Sequence, residues 1–90
     1  MLKMKDEAGE DTKLLAVPID KVLGGYSHIH GIAQVSPHWL ERIGHFFEHY
    51  KDLEKGKWVK LDGWEGVEAA KQEIMDSVQR FEASPEKLNF

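Results

Sequence analysis

Apolar positions along this chain follow two rhythms. Residues 2–4 form a short apolar and basic patch that reads as the tail of a strand. Lys13 to Ile19, KLLAVPI, is a second strand candidate, rich in branched apolar side chains and closed by Pro18. Residues 20–35 hold Gly24, Gly25 and Gly31 among scattered histidines and predict a loop with one helical turn. Ser36-Pro37 opens a helix, because serine can cap free N–H groups and proline fits the first turn. From there Trp39, Leu40, Ile43, Phe46, Phe47, Tyr50 and Leu53 recur at three- and four-residue steps, predicting an amphipathic helix that Gly56 ends. Lys57 to Leu61 predicts a short strand with Val59 and Leu61 on one face, followed by a turn at Asp62-Gly63. A second helix carries Val67, Ala70, Ile74, Val78 and Phe81 as its stripe, and residues 82–90 are expected to form a flexible tail.

Two helices with apolar faces and a few short strands make an α+β chain, expected to be a single partial domain over residues 1–90. Two or three short strands are a poor partner for such helices, so the sheet is expected to be incomplete within this chain and finished by another chain or segment. The length, 90 residues, suits one small domain and buries only a modest share of its surface. With 41% hydrophobic and 31% charged residues, the composition is that of a globular chain. Twelve basic and sixteen acidic side chains are interspersed, and the net charge of −4 disfavours a nucleic-acid surface. There is no cysteine, and no apolar run approaches the length of a membrane span. The first residues carry acid where a signal peptide carries its apolar core, so the expectation is a cytoplasmic protein.

Three clusters carry candidate chemistry. Asp6, Glu7, Glu10 and Asp11 crowd around Ala8-Gly9. Asp6 and Asp11 converge on one Mg²⁺ ion if the loop folds back at Ala8-Gly9, with Lys13 close enough to neutralise a phosphoryl oxygen; a solvated acidic loop is the alternative. Tyr50 and Lys51 pair a hydroxyl with an ammonium, an anchor for phosphate to which Lys57 adds a third contact. Equally, Tyr50 belongs to the core and Lys51 complements the helix C-terminus. His38, Arg42, His45, His49 and Asp52 fall on a separate polar stripe. His45 and His49 offer zinc two nitrogens one turn apart; a subunit contact or solvated face is the other reading. No phosphate-cradling G-x-x-x-x-G-K-[ST] motif occurs.

Together KMKDEAGEDTKLLAVP, YSHI, HFFEHYKDLEKGKWVKLDGWEG and EAAKQEI, in this order and spacing, resemble the C-terminal half of a bacterial-type soluble family I inorganic pyrophosphatase. The resemblance spans about residues 2–81. It implies part of an OB-like five-stranded β-barrel with two flanking α-helices, and Mg²⁺-dependent hydrolysis of diphosphate to two phosphates. By motif position it implies Mg²⁺ ligands at Asp6 and Asp11, with Glu7 supporting them from behind. Lys13, Tyr50 and Lys51 then contact phosphate as catalytic and substrate-binding groups, while Glu10 has no carried role. His45, His49 and Asp52 fall where bacterial members pack their subunits, implying a homo-oligomer, a hexamer in the intact family member. Histidine there makes association sensitive to mild acid.

One departure counts against an independent enzyme. The family's D-x-D-P-x-D aspartates, which bind the metals that activate water, occur nowhere in this chain. The pattern implies that the chain begins inside a barrel strand and that catalysis by the chain alone is not expected. The alternative is a non-catalytic truncated fragment that folds or self-associates without activity.

Overall fold

The computed structural model describes residues 1–85. Its elements, in chain order, are β1 (Leu2–Asp6), β2 (Gly9–Glu10), a 3-10 turn at Ile32–Gln34, α1 (Pro37–His49), β3 (Val59–Trp64) and α2 (Val67–Ala83). The three strands form an open antiparallel sheet in the order β2-β1-β3, an arrangement compatible with the α+β expectation.

The acidic segment is part of this sheet. β1 runs on through Lys5 and Asp6 and turns back at Glu7-Ala8, with Asp6 opposite Gly9 and Lys5 opposite Glu10. Two local features make that turn. The Asp6 carboxylate accepts the Ala8 N–H at 2.8 Å, as short polar side chains do in turns. Gly9, at φ +118°, then takes the backbone into a region that other residues rarely enter.

Leu2, Met4 and Asp6 alternate onto one face and are buried there. β3 follows that alternation only because it carries a bulge. Val59 lies opposite Asp6 and Leu61 opposite Met4, but Gly63 lies opposite Lys3 and Trp64 opposite Leu2. Asp62 is the extra residue. It returns Trp64 to the face of Val59 and Leu61, as bulges re-aim side chains, and Gly63 at φ +106° absorbs the bend. The expected turn at Asp62-Gly63 is therefore corrected to a bulge inside a strand. α1 closes on this face through Gly44, which is buried; a Cβ there would stand 3.5 Å from Leu61 Cδ1.

Other expectations change as well. Lys13 makes a two-way backbone bridge with Leu2, at 2.8 and 2.9 Å, but residues 14–19 form no strand. No described strand lies beside them to take their N–H groups, and Pro18 offers none. α1 begins at Pro37 as expected, although the Ser36 side chain makes no capping bond. It ends at His49 rather than near Gly56; turns follow through residues 51–56, and Gly56 bends them at φ +79°. Of the segment expected as a tail, 82 and 83 close α2, and 86–90 lie outside the described residues.

The apolar stripes are formed but poorly covered. Leu2 and Met4 are the fully buried large apolar side chains, while Ile74, Met75, Val78 and Phe81 on α2 and Trp39 and Phe46 on α1 stand exposed. The accessible surface is 7266 Å² for a 10.3 kDa chain. A closed fold of this mass has roughly 5,400 Å². The radius of gyration, 15.4 Å, likewise exceeds the ~12 Å of a closed chain of this length. Both values describe a chain more open than a closed domain of its length.

Candidate functional site

The antiparallel register assembles one candidate site from the hairpin and the end of α1. On β1, Asp6 shares its face with Leu2 and Met4. Across the hairpin, the Asp11 N–H bonds to the Met4 carbonyl at 3.0 Å and Lys13 bridges Leu2, so Asp11 and Lys13 come onto that same face. Asp6 and Asp11 thus become a diagonal cross-strand pair, which spacing along the chain alone did not determine.

The other half arrives from α1. Tyr50 caps its C-terminus, and Lys51 follows in the turn beyond. The Lys51 ammonium donates to Asp6 Oδ2 at 2.7 Å and lies 3.4 Å from Glu7 Oε1, joining residues 45 positions apart. Its side chain is only 14% exposed and that of Asp6 8%, so this pair is shielded from solvent. Lys13 makes the matching contact on the other strand, 2.8 Å from Asp11 Oδ1. Glu7 also accepts the Trp58 N–H at 3.4 Å, tying the hairpin to the segment before β3.

Aromatic rings floor this cluster. The Tyr50 ring stacks on Phe46 at 5.6 Å and meets Phe47 edge-on at 5.5 Å. The Lys13 ammonium lies 5.4 Å from the Phe47 ring centre and the Lys51 ammonium 5.5 Å from that of Tyr50. Cations near aromatic faces are attracted by the ring quadrupole. Phe47 was read only as part of the apolar stripe. Its position three and four residues before Tyr50 and Lys51, one helical face, was the available signal. The Trp58 contact uses the backbone and left no mark in the sequence.

The electrostatics follow from these contacts. The Lys51 hydrogen bond, helped by the Ala8 N–H, holds the Asp6 carboxyl below the usual carboxylate range. Glu7 is also lowered, first by its own backbone N–H and then by Trp58 and Lys51. The Lys51 ammonium is pushed above its ordinary value, chiefly by Asp6. Depressed carboxylates stabilise the fold above the unfolded-state values and lose that contribution as pH falls through the folded ones. A raised lysine contributes below its unfolded value and loses the contribution in strong alkali. The gap in urea midpoint between wild type and Lys51→Met is therefore expected to be level from about pH 5 to 10 and to close below about pH 4. A gap that persists at pH 2 would assign the effect to packing of the lysine stem.

Two sets of predicted residues fall elsewhere. Lys57 is turned to Glu54, 3.8 Å away, and not to the cluster. The His45 and His49 rings lie 4.5 Å apart between centres with tilted planes, and His49 Nδ1 lies 2.8 Å from Asp52 Oδ2, all three residues being exposed. Among the described residues no three His, Asp or Glu side chains are arranged to enclose a metal ion. Asp6 and Asp11 still offer oxygen donors alone, on one face. That donor set fits a hard cation such as Mg²⁺, which takes one or two carboxylates and keeps its waters. It does not fit zinc.

Comparison with known proteins covers nearly the whole chain. The sequence profile of the family described as inorganic pyrophosphatase matches residues 1–82. An inorganic pyrophosphatase of Xanthomonas campestris pv. campestris is 67% identical over 81 residues, which are 90% of this chain and 46% of that protein. One from Escherichia coli (strain K12) is 58% identical over 80 residues, 89% of this chain and again 46% of the relative. The solved structure of an inorganic pyrophosphatase from Helicobacter pylori superposes with a TM-score of 0.86 at 44% identity, covering 91% of this chain and 48% of that one. The chain thus spans about half the length of the relatives it matches.

Proposed function

Since this chain belongs to the inorganic pyrophosphatase family, we propose that it supplies part of the active site of a Mg²⁺-dependent enzyme that hydrolyses inorganic diphosphate to two phosphates. In this reading the chain is the C-terminal portion, a partial domain completed by the remaining half of the relatives' length into a five-stranded OB-like barrel. The open edge of the sheet and the uncovered stripes support that completion.

The observation that carries the reading is the Asp6–Lys51 contact, which draws a carboxylate hairpin and a basic helix end into one shielded cluster. Asp6 and Asp11 hold the cation, and Glu7 keeps Lys51 in place. Lys13, Lys51 and the Tyr50 hydroxyl present fixed donors to phosphoryl oxygens, where negative charge accumulates during transfer. Bound Mg²⁺ supplies Lewis-acid polarisation and lowers the pKa of a bound water. The aspartates that would position that water are not in this sequence, so the chain alone is expected to be inactive.

The test is phosphate release from diphosphate with Mg²⁺, using the 90-residue chain alone and mixed with the N-terminal half of the Xanthomonas relative. No turnover alone and turnover in the mixture supports the proposal. Turnover by the chain alone overturns the need for the second half. Inactivity in both, with the halves shown to associate, favours the non-catalytic reading.

The His45, His49 and Asp52 side is proposed as the contact of a homo-oligomer, hexameric in the completed protein, working in the cytoplasm. The exposed His49–Asp52 hydrogen bond and the adjoining His45 ring support it, because they gather polar groups at one exposed place. His49→Ala is expected to shift sedimentation of the completed protein toward smaller species; an unchanged oligomer would remove this contact from the interface. No described helix is long and apolar enough to cross a membrane.

A further inference from the structure

Each carboxylate assigned to the cation is held by a lysine assigned to phosphate. Lys51 Nζ lies 2.7 Å from Asp6 Oδ2, and Lys13 Nζ lies 2.8 Å from Asp11 Oδ1. An ammonium at that distance occupies a lone-pair direction a divalent cation needs, and repels the cation at short range. The carboxylate also takes one of its three N–H donors and offsets the charge that a phosphate oxygen would meet. Each ammonium, while paired, also sits beside an aromatic ring. Lys13 lies over the Phe47 ring and Lys51 over the Tyr50 ring, and these two rings touch edge-on at 5.5 Å.

We propose that Lys13 and Lys51 are exchangeable counter-ions. A divalent cation taking Asp11 and Asp6 displaces both ammonium groups, and the adjoining Phe47 and Tyr50 rings retain them beside each other, free to receive phosphate. The inference rests on the reading of Asp6 and Asp11 as cation ligands and of the lysines as phosphate contacts. It adds an order of events and a coupling. Cation binding raises phosphate affinity by releasing its donors, and linkage requires that phosphate raise cation affinity by the same factor. The two pairs are alike in length and lie on one face, so a cation held by both aspartates meets both ammonium groups.

The test uses the 90-residue chain labelled with ¹³C and ¹⁵N and titrated with MgCl₂, followed by NMR. The side-chain carboxyl signals of Asp6 and Asp11 report the cation, and the ammonium signals of Lys13 and Lys51 report the ion pairs. The expected result is that all four move with one Mg²⁺ midpoint, as Lys13 leaves Asp11 and Lys51 leaves Asp6 for Glu7 alone. Carboxyl signals that move while the lysine signals stay fixed overturn the exchange and leave the ligand reading intact. Carboxyl signals indifferent to Mg²⁺ overturn the ligand reading and the exchange with it.

A variant pair separates exchange from bulk charge. Lys51→Met removes a competitor and is expected to lower the Mg²⁺ midpoint at Asp6 by about fivefold or more. Lys55→Met removes the same charge from a lysine with no ion pair among the described residues and is expected to change it far less. Equal effects of the two substitutions overturn the proposal.

Discussion

Met4→Ala is expected to lower the melting temperature of the chain by on the order of 10–40 °C. The Met4 side chain is fully buried in the centre of β1, opposite Leu61. Truncating a buried methionine costs about 2–5 kcal/mol in lost transfer energy and residual cavity. In a domain of this length each kcal/mol moves the melting point by about 4–8 °C. The effect is large because the core has little else. Among the described residues Leu2 and Met4 are the fully buried large apolar side chains, so few others share the loss. Leu53→Ala is the control: that side chain is 102% exposed and its loss is expected to stay within about 0.5 kcal/mol. Thermal melts followed by far-UV circular dichroism decide it, and comparable shifts for the two variants would mean that the β1 face is not the core.

Asp6→Asn is expected to cut phosphate release by the completed enzyme on the order of a hundredfold or more, since a catalytic cation supplies several kcal/mol of transition-state stabilisation. Asparagine keeps an oxygen that can accept the Ala8 N–H, so the hairpin turn survives while the charge is lost. It also releases Lys51 without a cation. The loss is therefore expected in kcat and in Mg²⁺ dependence, with the melting temperature moved far less than by Met4→Ala. Unchanged turnover would remove Asp6 from the cation site. Normal turnover at raised Mg²⁺ would leave it as a binding group only.

What could be read in the sequence was whatever depends on neighbours within one helical turn. Both helices were legible because their apolar residues repeat every three or four positions, a period that few other structures tolerate. Strand pairing was not, because partners are chosen by the whole fold. KLLAVPI has the composition of a strand, yet beyond Lys13 no described segment accepts it. Asp62-Gly63 has the signature of a turn, but the chain uses it to lengthen a strand by one residue and keep Trp64 on the inner face. The candidate site shows the same division. Tyr50 and Lys51 are adjacent, and Asp6 and Glu7 are adjacent, but the 45-residue step between Lys51 and Asp6 follows no local rule. Only likeness to a family suggested that those groups meet. The contact of Glu7 with Lys51 likewise joins residues that no spacing relates.

The place of β1 between β2 and β3 also decides how this chain comes to be folded. β2 follows β1 at once, and a hairpin of that kind closes in about 1–10 μs. β3 pairs with the other edge across some 55 residues, from Asp6 with Val59 to Leu2 with Trp64. On a ribosome adding about 5–20 residues per second, β3 is made roughly 3–11 s after β1. Until then β1 lacks β3 on that edge, and Leu2 and Met4 lack Trp64 and Leu61 opposite them, the kind of edge to which foreign strands add. Lys3 and Lys5 alternate with those apolar residues on the waiting strand. Lysines spaced along a waiting edge are a common device against the addition of foreign strands.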